Sequence, residues 1–429
     1  MIVARRPSFR CCSLSSLTLA TWEKAEQATS VLNLAIGQPA PSLLPTEELQ
    51  RSASRLPKYD PRHLLQYGAA AGSRHYLDAT ATFLSEHLGY EIPPRNLFAT
   101  PGNSGGLALL ARKLSRPGDS VLMEEPSYFL AHQLFRDYSL HLIPMPQLPG
   151  GLGTIDLDAL TPSRVGKWPS LLYCVPTGNN PTGRSMPDDD RARLVSLCAA
   201  HGVVLIADDV YEMLQWEVGP RPLRWHARDL GVSDVVVSLG SWSKILGPGL
   251  RLGWIEADEA TRTTLAADGE VDSGSLTAPL TESLVTEMLG SGDVGVHLLR
   301  LRAALSRRAS LLSAAINSEQ PAGMPTIVNP APAGYFLWVE LPAGVDANAL
   351  RDWCVIHHGV DFLPGPRCGL APKSEPPSRS WLAHRARVCF AFLEEEELVE
   401  AGRRLGRAIA EAAAGGGAQF MPMPSQILG

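Results

Sequence analysis

Four short apolar runs between about residue 95 and residue 255 most constrain the fold, because each has the length of a strand rather than of a helix. They are SVLMEE (120–125), SLLYCV (170–175), GVVLIADD (202–209) and DVVVSLGS (234–241). The intervening DDDRARLVSLCAAHG (188–202) begins with acids, repeats apolar residues at helical spacing and stops at Gly202, as a capped helix does. Strands alternating with helices are typical of an α/β domain with a mainly parallel sheet.

Polar residues follow three of these predicted strands at their carboxyl ends. TGNNPTG comes after SLLYCV, DDVY ends GVVLIADD, and SWSK comes after DVVVSLGS. Open α/β sheets bind ligands outside the carboxyl ends of their strands. The sequence therefore predicts a ligand site at this edge of the sheet.

The remainder of the chain predicts a second, smaller α+β domain, as expected for 429 residues. Residues 280–317 have helical spacing, GYFLWVEL (334–341) and RARVCFAF (385–392) are predicted strands, and a final amphipathic helix ends at Gly415. We expect an N-terminal arm with part of the small domain (1–50), a large domain (51–295), a small C-terminal domain (296–414) and a flexible tail (415–429).

Composition removes several classes of function. The net charge of −6 gives no basic footprint for nucleic acid, and no run approaches the ~20 apolar residues of a membrane span. The number and spacing of the seven cysteines fit neither a disulfide framework nor a metal site such as a zinc site. This favours reduced thiols in a cytoplasmic protein. Residues 1–22 are rich in Arg and Ser and have no acid, which suits either an organelle transit peptide, including a mitochondrial one, or a flexible arm.

The stretch GSWSKILGPGLRLGW (240–254) sets one lysine and one arginine among small residues at a predicted strand end. A cleft there would lower the pKa of the Lys244 amine and make it a nucleophile towards carbonyls. The aldehyde that enzymes most use with such a lysine is pyridoxal phosphate. This cofactor also requires a carboxylate at its pyridine nitrogen, ligands for its phosphate and hydrogen bonds to its ring oxygen.

Each requirement has candidates in the sequence. ADDVY offers Asp208 and Asp209, of which we expect one to face the cleft and the other solvent or a backbone amide. ATPGNSGGLALLARKL (99–114) predicts a glycine-rich turn that opens a helix, where free N–H groups favour an anion. Further candidates are Ser241 and Arg251 for the phosphate, and Asn180 and Tyr211 for the ring oxygen.

Together VPTGNNPTG, ADDVY and SWSKILGPGLRLGW resemble the class I/II pyridoxal-phosphate aminotransferases of fold type I. Within that class the chain is most similar to the group of 2-aminoadipate, kynurenine and multisubstrate aromatic aminotransferases, over about residues 31 to 410. The resemblance implies a homodimer with shared active sites, and transfer of an amino group from an amino acid to a 2-oxo acid, with 2-oxoglutarate as the expected acceptor, by a ping-pong mechanism.

The resemblance also implies a role for individual residues. Lys244 would bond the cofactor covalently and move the substrate proton, and Asp208, rather than Asp209, would pair with the pyridine nitrogen. The other implied cofactor contacts are Asn180 and Tyr211 at the ring hydroxyl; Ser241, Arg251 and the backbone of Asn103 and Ser104 at the phosphate, with Ser243 in a supporting role; Tyr128 stacked on the ring; and Tyr67 reaching the phosphate of the neighbouring subunit.

For the substrate, the family pattern favours Arg387 as the ligand of the α-carboxylate, with Arg385 two residues away as the alternative. Gly37 matches a backbone contact to the same carboxylate, and Asn180 also lies on the substrate side. Three features depart from the family: GNSGG replaces the usual GSQQ, Trp242 replaces a phenylalanine, and Cys368 stands where an aromatic residue is common. We expect the last two to affect substrate preference more than chemistry.

Two rival functions follow from the same motifs. A lyase or decarboxylase can use the same fold and cofactor, and nothing in the motifs excludes it. A non-catalytic effector-sensing domain, as in regulators that fuse this fold to a DNA-binding module, would need a winged-helix segment upstream. Only about 30 residues precede the first family motif, which disfavours that second rival.

Overall fold

A seven-stranded sheet organises the protein. The structure is a computed structural model, and it describes residues 31–148, 155–161, 168–274, 276–321, 327–370 and 381–415. The strands are Leu32–Asn33 (β1), Leu97–Thr100 (β2), Ser120–Met123 (β3), His141–Pro144 (β4), Leu171–Cys174 (β5), Val204–Asp208 (β6), Val236–Ser241 (β7), Gly253–Glu256 (β8), Phe336–Glu340 (β9), Val360–Asp361 (β10), Leu363–Pro364 (β11) and Arg385–Cys389 (β12). The strand order in the seven-stranded sheet is β2-β8-β7-β6-β5-β3-β4.

The helices connect these strands and cover both faces of the sheet. They are Thr46–Ala53 (α1), Pro61–Leu65 (α2), Arg74–Leu88 (α3), Gly102–Leu114 (α4), Phe129–Asp137 (α5), Asp188–His201 (α6), Leu223–Asp229 (α7), Glu259–Ala266 (α8), Gly269–Asp272 (α9), Pro279–Gly290 (α10), Asp293–Asn317 (α11), Ala347–Trp353 (α12) and Glu395–Ala414 (α13). A single π-helical turn, Cys354–His358, follows α12.

The central sheet is mainly parallel, as the sequence predicts. Only β8 runs antiparallel to its neighbours β2 and β7, while β7, β6, β5, β3 and β4 pair in parallel. The four predicted strands appear as β3, β5, β6 and β7, and the predicted helix 188–202 is α6, which ends at Gly202 in the left-handed conformation. Glycine is favoured at that C-terminal position because it adopts a positive φ without steric cost.

Alternation along the strands divides the core between the two faces of the sheet. In β5, Leu171 and Tyr173 join one buried cluster, and Leu172 and Cys174 join the other. The first cluster includes residues of α4 and of the C-terminal part of the chain, while the second packs under α6 and α7. The last residue of β6, Asp208, has the parity of the first face.

Smaller sheets form the rest of the fold. Strands β11, β12 and β9 make an antiparallel sheet, and β1 pairs in parallel with β10, which places residues near 32 beside residues near 360. The helical stretch 280–317 is two helices, α10 and α11, separated at Gly292, whose φ is +78°. The predicted domain boundaries stay a prediction, and residues 1–22 and 416–429 lie outside the described residues.

Among the described residues no helix is long and apolar enough to cross a membrane.

Candidate active site

The lysine of SWSK lies in a short 3-10 turn, Trp242–Lys244, directly after β7. Lys244 is partly buried and its Nζ donates to the carbonyl oxygen of Gly37 at 2.7 Å. Burial lowers the pKa of Lys244 to about 8; the Arg387 and Arg251 guanidiniums act in the same direction, and Cys389 and Asp208 oppose them. An amine with this pKa is about one-tenth neutral, and so nucleophilic, at pH 7, far more than an ordinary lysine amine.

The C-terminal part of the chain holds the backbone of the lysine turn. Tyr335, next to β9, donates its hydroxyl to the carbonyl oxygen of Lys244 at 2.7 Å, and its ring centre lies 5.5 Å from Nζ. His297 of α11 contacts the carbonyl oxygen of Ile245 at 2.8 Å through Nε2. The turn is therefore fixed by hydrogen bonds from two separate elements.

Asp208 lies at the carboxyl end of β6 with both carboxyl oxygens paired. Asn103 Nδ2 donates to Oδ1 at 2.5 Å, and the Tyr173 hydroxyl donates to Oδ2 at 2.7 Å. Burial raises the pKa of Asp208 to about 6, and these donors together with the Lys244 charge lower it from what burial alone would give. Asp208 is thus largely charged at neutral pH although it is buried.

Asp209 points to the opposite face of the sheet and is partly buried. Its Oδ2 accepts from the Ser238 hydroxyl at 2.5 Å, and its Oδ1 is buried without a donor among the described residues. Burial, with the nearby Glu212 carboxyl, raises the pKa of Asp209 to about 8. The strand alternation that places Asp208 on one face forces its neighbour onto the other.

Gly102 and Arg251 meet at the start of α4. Gly102 has a φ of +77°, and a Cβ there would lie 3.0 Å from Arg251 Nη2. Arg251 itself is in the left-handed region with a φ of +49°, and its guanidinium donates to the carbonyl oxygens of Pro101 at 2.9 Å and Pro248 at 3.1 Å. Strained conformations of this kind cluster at functional sites, where the surrounding structure holds them in place.

The other phosphate candidates lie on elements that end at the same edge. Ser241 is the last residue of β7, and its hydroxyl bonds to the Ser243 hydroxyl at 2.9 Å and to the carbonyl oxygen of Leu252 at 3.3 Å. Asn103 and Ser104 occupy the first turn of α4, whose leading N–H groups lack partners within the helix. Asn103 also bonds to Asp208 through its side chain, a contact that no local sequence pattern indicated.

The two arginines of β12 differ in their partners. Arg387 donates to Asn180 Oδ1 at 2.9 Å and to the carbonyl oxygen of Ala35, and its guanidinium lies 4.1 Å from the Phe336 ring centre. No carboxylate lies within ion-pair distance of Arg387 among the described residues. Arg385 instead forms an ion pair with Glu340 at 3.2 Å. Of these two arginines, Arg387 is thus the one whose charge is not paired with a carboxylate among the described residues.

Three predicted aromatic contacts have different environments. Tyr211 is buried, with its ring centre 5.5 Å from that of Tyr335. Tyr128 immediately precedes α5, and burial with the nearby Asp208 carboxylate raises its pKa to about 12. Tyr67 is 85% exposed, so within one chain its hydroxyl takes no part in the cluster around Lys244.

Trp242 and Cys368, which depart from the family, are both fully buried. Trp242 Nε1 donates to the Tyr76 hydroxyl at 3.0 Å, and its ring packs against Trp254. The carbonyl oxygen of Cys368 accepts from the Ser127 amide at 3.0 Å. Trp242 therefore serves the core of the protein, which the sequence pattern did not indicate.

Comparison with known families agrees with this geometry. The family model described as aminotransferase class I and II matches residues 29–405 of the chain. The chain belongs to the class I and II aminotransferases. The aminotransferase is 32% identical to a 2-aminoadipate transaminase of Thermus thermophilus over 90% of its own length and 92% of that protein. It is 26% identical to aromatic-amino-acid aminotransferase 1 of Thermococcus litoralis, over 90% of each chain.

A solved structure of the same family overlays on most of the aminotransferase. The crystal structure of LysN, an alpha-aminoadipate aminotransferase from Thermus thermophilus complexed with N-(5'-phosphopyridoxyl)-L-leucine, matches with a TM-score of 0.77 at 30% identity. The match covers 91% of this chain and 95% of that chain. The fold is therefore fold type I, the cofactor is pyridoxal phosphate, and the substrates are an amino acid and a 2-oxo acid.

The residues of this chain fit that cofactor. A lysine of lowered pKa, a buried and largely charged carboxylate, and a glycine-led helix start beside an arginine supply an amine for the aldehyde, a partner for the pyridine nitrogen and a cradle for a phosphate. A side chain at Gly102 would press against Arg251, so the close approach of backbone and guanidinium depends on that glycine. The donor set and the shape of the cradle thus match the group.

Proposed function

We propose that the chain transfers the amino group of an amino acid to 2-oxoglutarate by a ping-pong mechanism, with Lys244 as the residue that carries the chemistry. The observation that supports this is the environment of Nζ, an amine of pKa about 8 whose charge is influenced by both Asp208 and Arg387. Asp208 fits one end of the cofactor and Arg387 fits a substrate carboxylate. Lys244, whose charge both groups influence, is therefore suited to carry the proton in the proposed reaction.

Bound pyridoxal phosphate supplies an electron sink that accepts the electron pair left when the α-proton leaves the substrate. Lys244 Nζ would take that proton from the substrate and carry it. Asp208 would hold a proton at the pyridine nitrogen, and Asn180 and Tyr211 would bind the ring oxygen. Arg387 binds the substrate α-carboxylate with paired charge-assisted hydrogen bonds, beside the backbone of Gly37.

The phosphate is held at the start of α4. Its ligands are Arg251, the Ser241 hydroxyl and the backbone N–H groups of Asn103 and Ser104, where the helix dipole favours an anion. Tyr128 stacks on the ring and limits the access of water to it. Ser243 supports Ser241 through their hydroxyl contact.

Replacement of the lysine tests the proposal. We expect Lys244→Ala to lose the visible absorbance of the bound cofactor and to reduce kcat at least ~10³-fold, the scale of general-base catalysis by a positioned group. Lys113→Ala, at an exposed amine of α4 that contacts only the carbonyl oxygen of Ala267, is the matched control. Full activity and unchanged absorbance in Lys244→Ala would contradict the proposal.

Product analysis separates the proposal from a lyase or decarboxylase. A panel of amino acids is incubated with 2-oxoglutarate, and 2-oxo acid, glutamate, ammonia and carbon dioxide are measured. Equal yields of 2-oxo acid and glutamate are the expected result, with parallel lines in double-reciprocal plots as the sign of ping-pong kinetics. Ammonia or carbon dioxide without glutamate would favour the rival function.

We infer a donor range of aromatic, long aliphatic and 2-aminoadipate-like amino acids.

We infer in addition that the enzyme is a homodimer whose two sites are shared, with Tyr67 reaching the phosphate of the neighbouring subunit. The 85% exposure of this large ring, packed beside Gly274, supports an interface at that surface. Mixing Lys244→Ala with Tyr67→Ala should give hybrids in which one of the two sites regains both native residues. Recovered activity on mixing is expected, and no recovery in a sample shown to contain hybrids would contradict shared sites.

The domain division given above is part of the same proposal, with the phosphate and ring contacts in 51–295 and the carboxylate ligand in 296–414.

Five cysteines lie buried as free thiols among the described residues: Cys174, Cys198, Cys354, Cys368 and Cys389. Thiols of this kind support a reducing compartment, and we infer the cytoplasm.

A further inference from the structure

Asn103 lies in the first turn of α4 but does not use its side chain for that helix. Pro101 is the residue before the helix, and no side-chain cap bond is present there. Instead Nδ2 of Asn103 donates to Oδ1 of Asp208, 105 positions away along the chain. The side chain therefore links the helix that begins the proposed phosphate cradle to the carboxylate at the end of β6.

Tyr173 makes the complementary contact from β5. Its ring is fully buried, and its hydroxyl donates to Oδ2 of Asp208 at 2.7 Å. Each carboxyl oxygen of Asp208 thus has one side-chain donor, and the two come from different elements; the backbone amide of Val210 is a further donor to the same carboxyl. Two donors on separate oxygens fix the plane of a carboxylate, which one donor cannot do.

The orientation of the Asn103 amide follows from its partner. Turning the amide over would set its oxygen against the Asp208 carboxylate, so the NH2 group is the one that faces Asp208. The amide oxygen is then buried and has no donor in the described part of the chain. Leaving a buried acceptor unpaired has a free-energy cost, which indicates that the side chain is held here for its contact with the aspartate.

We propose that Asn103 and Tyr173 are positioning residues that act through Asp208, because together they fix its carboxylate plane and keep it charged inside the protein. The inference rests on the proposed role of Asp208 at the pyridine nitrogen. Asn103 stands where the family motif GSQQ has a serine, whose shorter side chain ends one atom sooner. The chain-specific GNSGG sequence is thus connected to the ring end of the cofactor as well as to its phosphate end.

The balance of charge around Asp208 gives the expected direction of change. Burial raises its pKa to about 6, and the Tyr173 and Asn103 donors both lower it. The titratable groups that also interact electrostatically with Asp208 are Lys244, Tyr128, Glu124 and, from the other face of the sheet, Asp209. Of these only Lys244 carries a positive charge, so removal of either donor should raise the pKa of Asp208.

The experiment uses the holoenzyme and its apo form with two variants, Asn103→Leu and Tyr173→Phe. Leucine has the shape of asparagine without its donor, and phenylalanine lacks only the hydroxyl. Tyr90→Phe is the matched control, because it removes a buried tyrosine hydroxyl that donates to Glu256 Oε2 at 2.8 Å, away from Asp208. The readouts are the 13C carboxyl titration of Asp208 in the apo protein and the acid limb of kcat/KM in the holoenzyme.

In both variants we expect the Asp208 midpoint and the acid limb of kcat/KM to move at least about one pH unit upwards, as loss of a hydrogen bond to a charged group predicts. Activity should fall about 5-fold at pH 6 and much less at pH 8.5, while KM changes less than about 3-fold since neither side chain contacts the substrate. Tyr90→Phe should move neither midpoint.

Unchanged midpoints in both folded variants would overturn the inference. If Asn103→Leu does not fold, as judged by circular dichroism and thermal unfolding, Tyr173→Phe alone decides the result. Asp208→Asn separates this inference from the proposed function. Full activity in Asp208→Asn would remove the proposed role of Asp208, whereas an inactive Asp208→Asn with unshifted Asn103→Leu and Tyr173→Phe would remove only the positioning roles.

Discussion

Asp208 and Asp209 are neighbours of identical chemistry at the end of one strand, yet they lie in opposite surroundings. Asp208 accepts hydrogen bonds from Asn103 and Tyr173 and lies among the residues around Lys244. Asp209 accepts from Ser238 on the other face, near Glu212, and its pKa is raised to about 8. Burial raises the pKa of both carboxyls, and the nearby Glu212 carboxyl raises that of Asp209 further.

The difference shows that the face of the sheet, rather than the residue type, decides which carboxyl can serve the cofactor. Arg387 and Arg385 lie two residues apart on β12 and therefore on the same face of that strand, and they differ in their partners instead. Arg385 is neutralised by Glu340, while Arg387 is held by uncharged oxygens and keeps its charge for a ligand. In each pair one member contributes to the fold and the other is available for function.

The largest expected effect comes from comparing Asp208→Asn with Asp209→Asn. Asp208→Asn removes the charge proposed for the pyridine nitrogen, and kcat/KM should fall about 10²–10³-fold, the scale for loss of one preorganised electrostatic group. Asp209 lies on the other face of the sheet, where it pairs with Ser238, so Asp209→Asn should leave kcat/KM within about 3-fold. Steady-state kinetics at pH 7 measures both, and equal losses would show that the two faces do not differ as argued.

A second comparison uses Arg387→Gln and Arg385→Gln. Loss of the bidentate contact at Arg387 should lower kcat/KM about 100-fold, mainly through KM for the amino acid. Arg385→Gln should change kcat/KM less than about 5-fold, because the Arg385 charge is already paired with that of Glu340. The ratio of the two effects is measured with one good donor. A larger effect at position 385 would reverse the assignment of the carboxylate ligand.

The pH dependence of cofactor capture by the apo protein sharpens the same contrast. Only the neutral amine of Lys244 reacts, so with a pKa of about 8 the rate constant should rise about 10-fold between pH 7 and pH 9. Arg387 lowers this pKa, so Arg387→Gln should move the midpoint upwards and Arg385→Gln should leave it in place. Stopped-flow absorbance after mixing with pyridoxal phosphate records the profile; a rise of about 100-fold over this range, as expected for an ordinary lysine amine, would contradict the lowered pKa.

The smallest effect is expected at the ion pair of Arg385. Glu340 is 62% exposed, so Glu340→Gln should lower the free energy of unfolding by less than about 1 kcal/mol. A double-mutant cycle with Arg385→Gln measures the coupling in chemical denaturation. A coupling of several kcal/mol would show that the pair is a major element of stability rather than a means of neutralising one arginine.

Much of the framework follows from local patterns. Short apolar runs predicted β3, β5, β6 and β7 to within two residues at each end, and acids before an apolar period with a terminal glycine predicted α6. Alternation along β6 implies that Asp208 and Asp209 face opposite ways, although it does not say what each one meets. The sequence left the break at Gly292 unpredicted because helical spacing continues on both sides of it.

Contacts distant in sequence are the part that local patterns could not supply. Asn103 reaches Asp208 across 105 positions, Tyr173 across 35, and Lys244 reaches Gly37 across 207. Trp242 looked like a determinant of substrate preference and is instead a core residue, because the turn after β7 directs its ring towards Tyr76. Such contacts depend on how elements pack, which no motif encodes.

The meeting of β1 with β10, and of Ala35 with Arg387, has a consequence for biosynthesis. Ala35 and Gly37 supply backbone oxygens to Arg387 and Lys244, so this cluster joins segments that are made far apart in time during translation. Arg387 follows Gly37 by about 350 residues, which at about 5–20 residues per second means about 20–70 s on the ribosome before these partners can meet. The catalytic centre is therefore assembled only after residue 387 has been made, and a chain interrupted before that residue carries no complete site that could act prematurely.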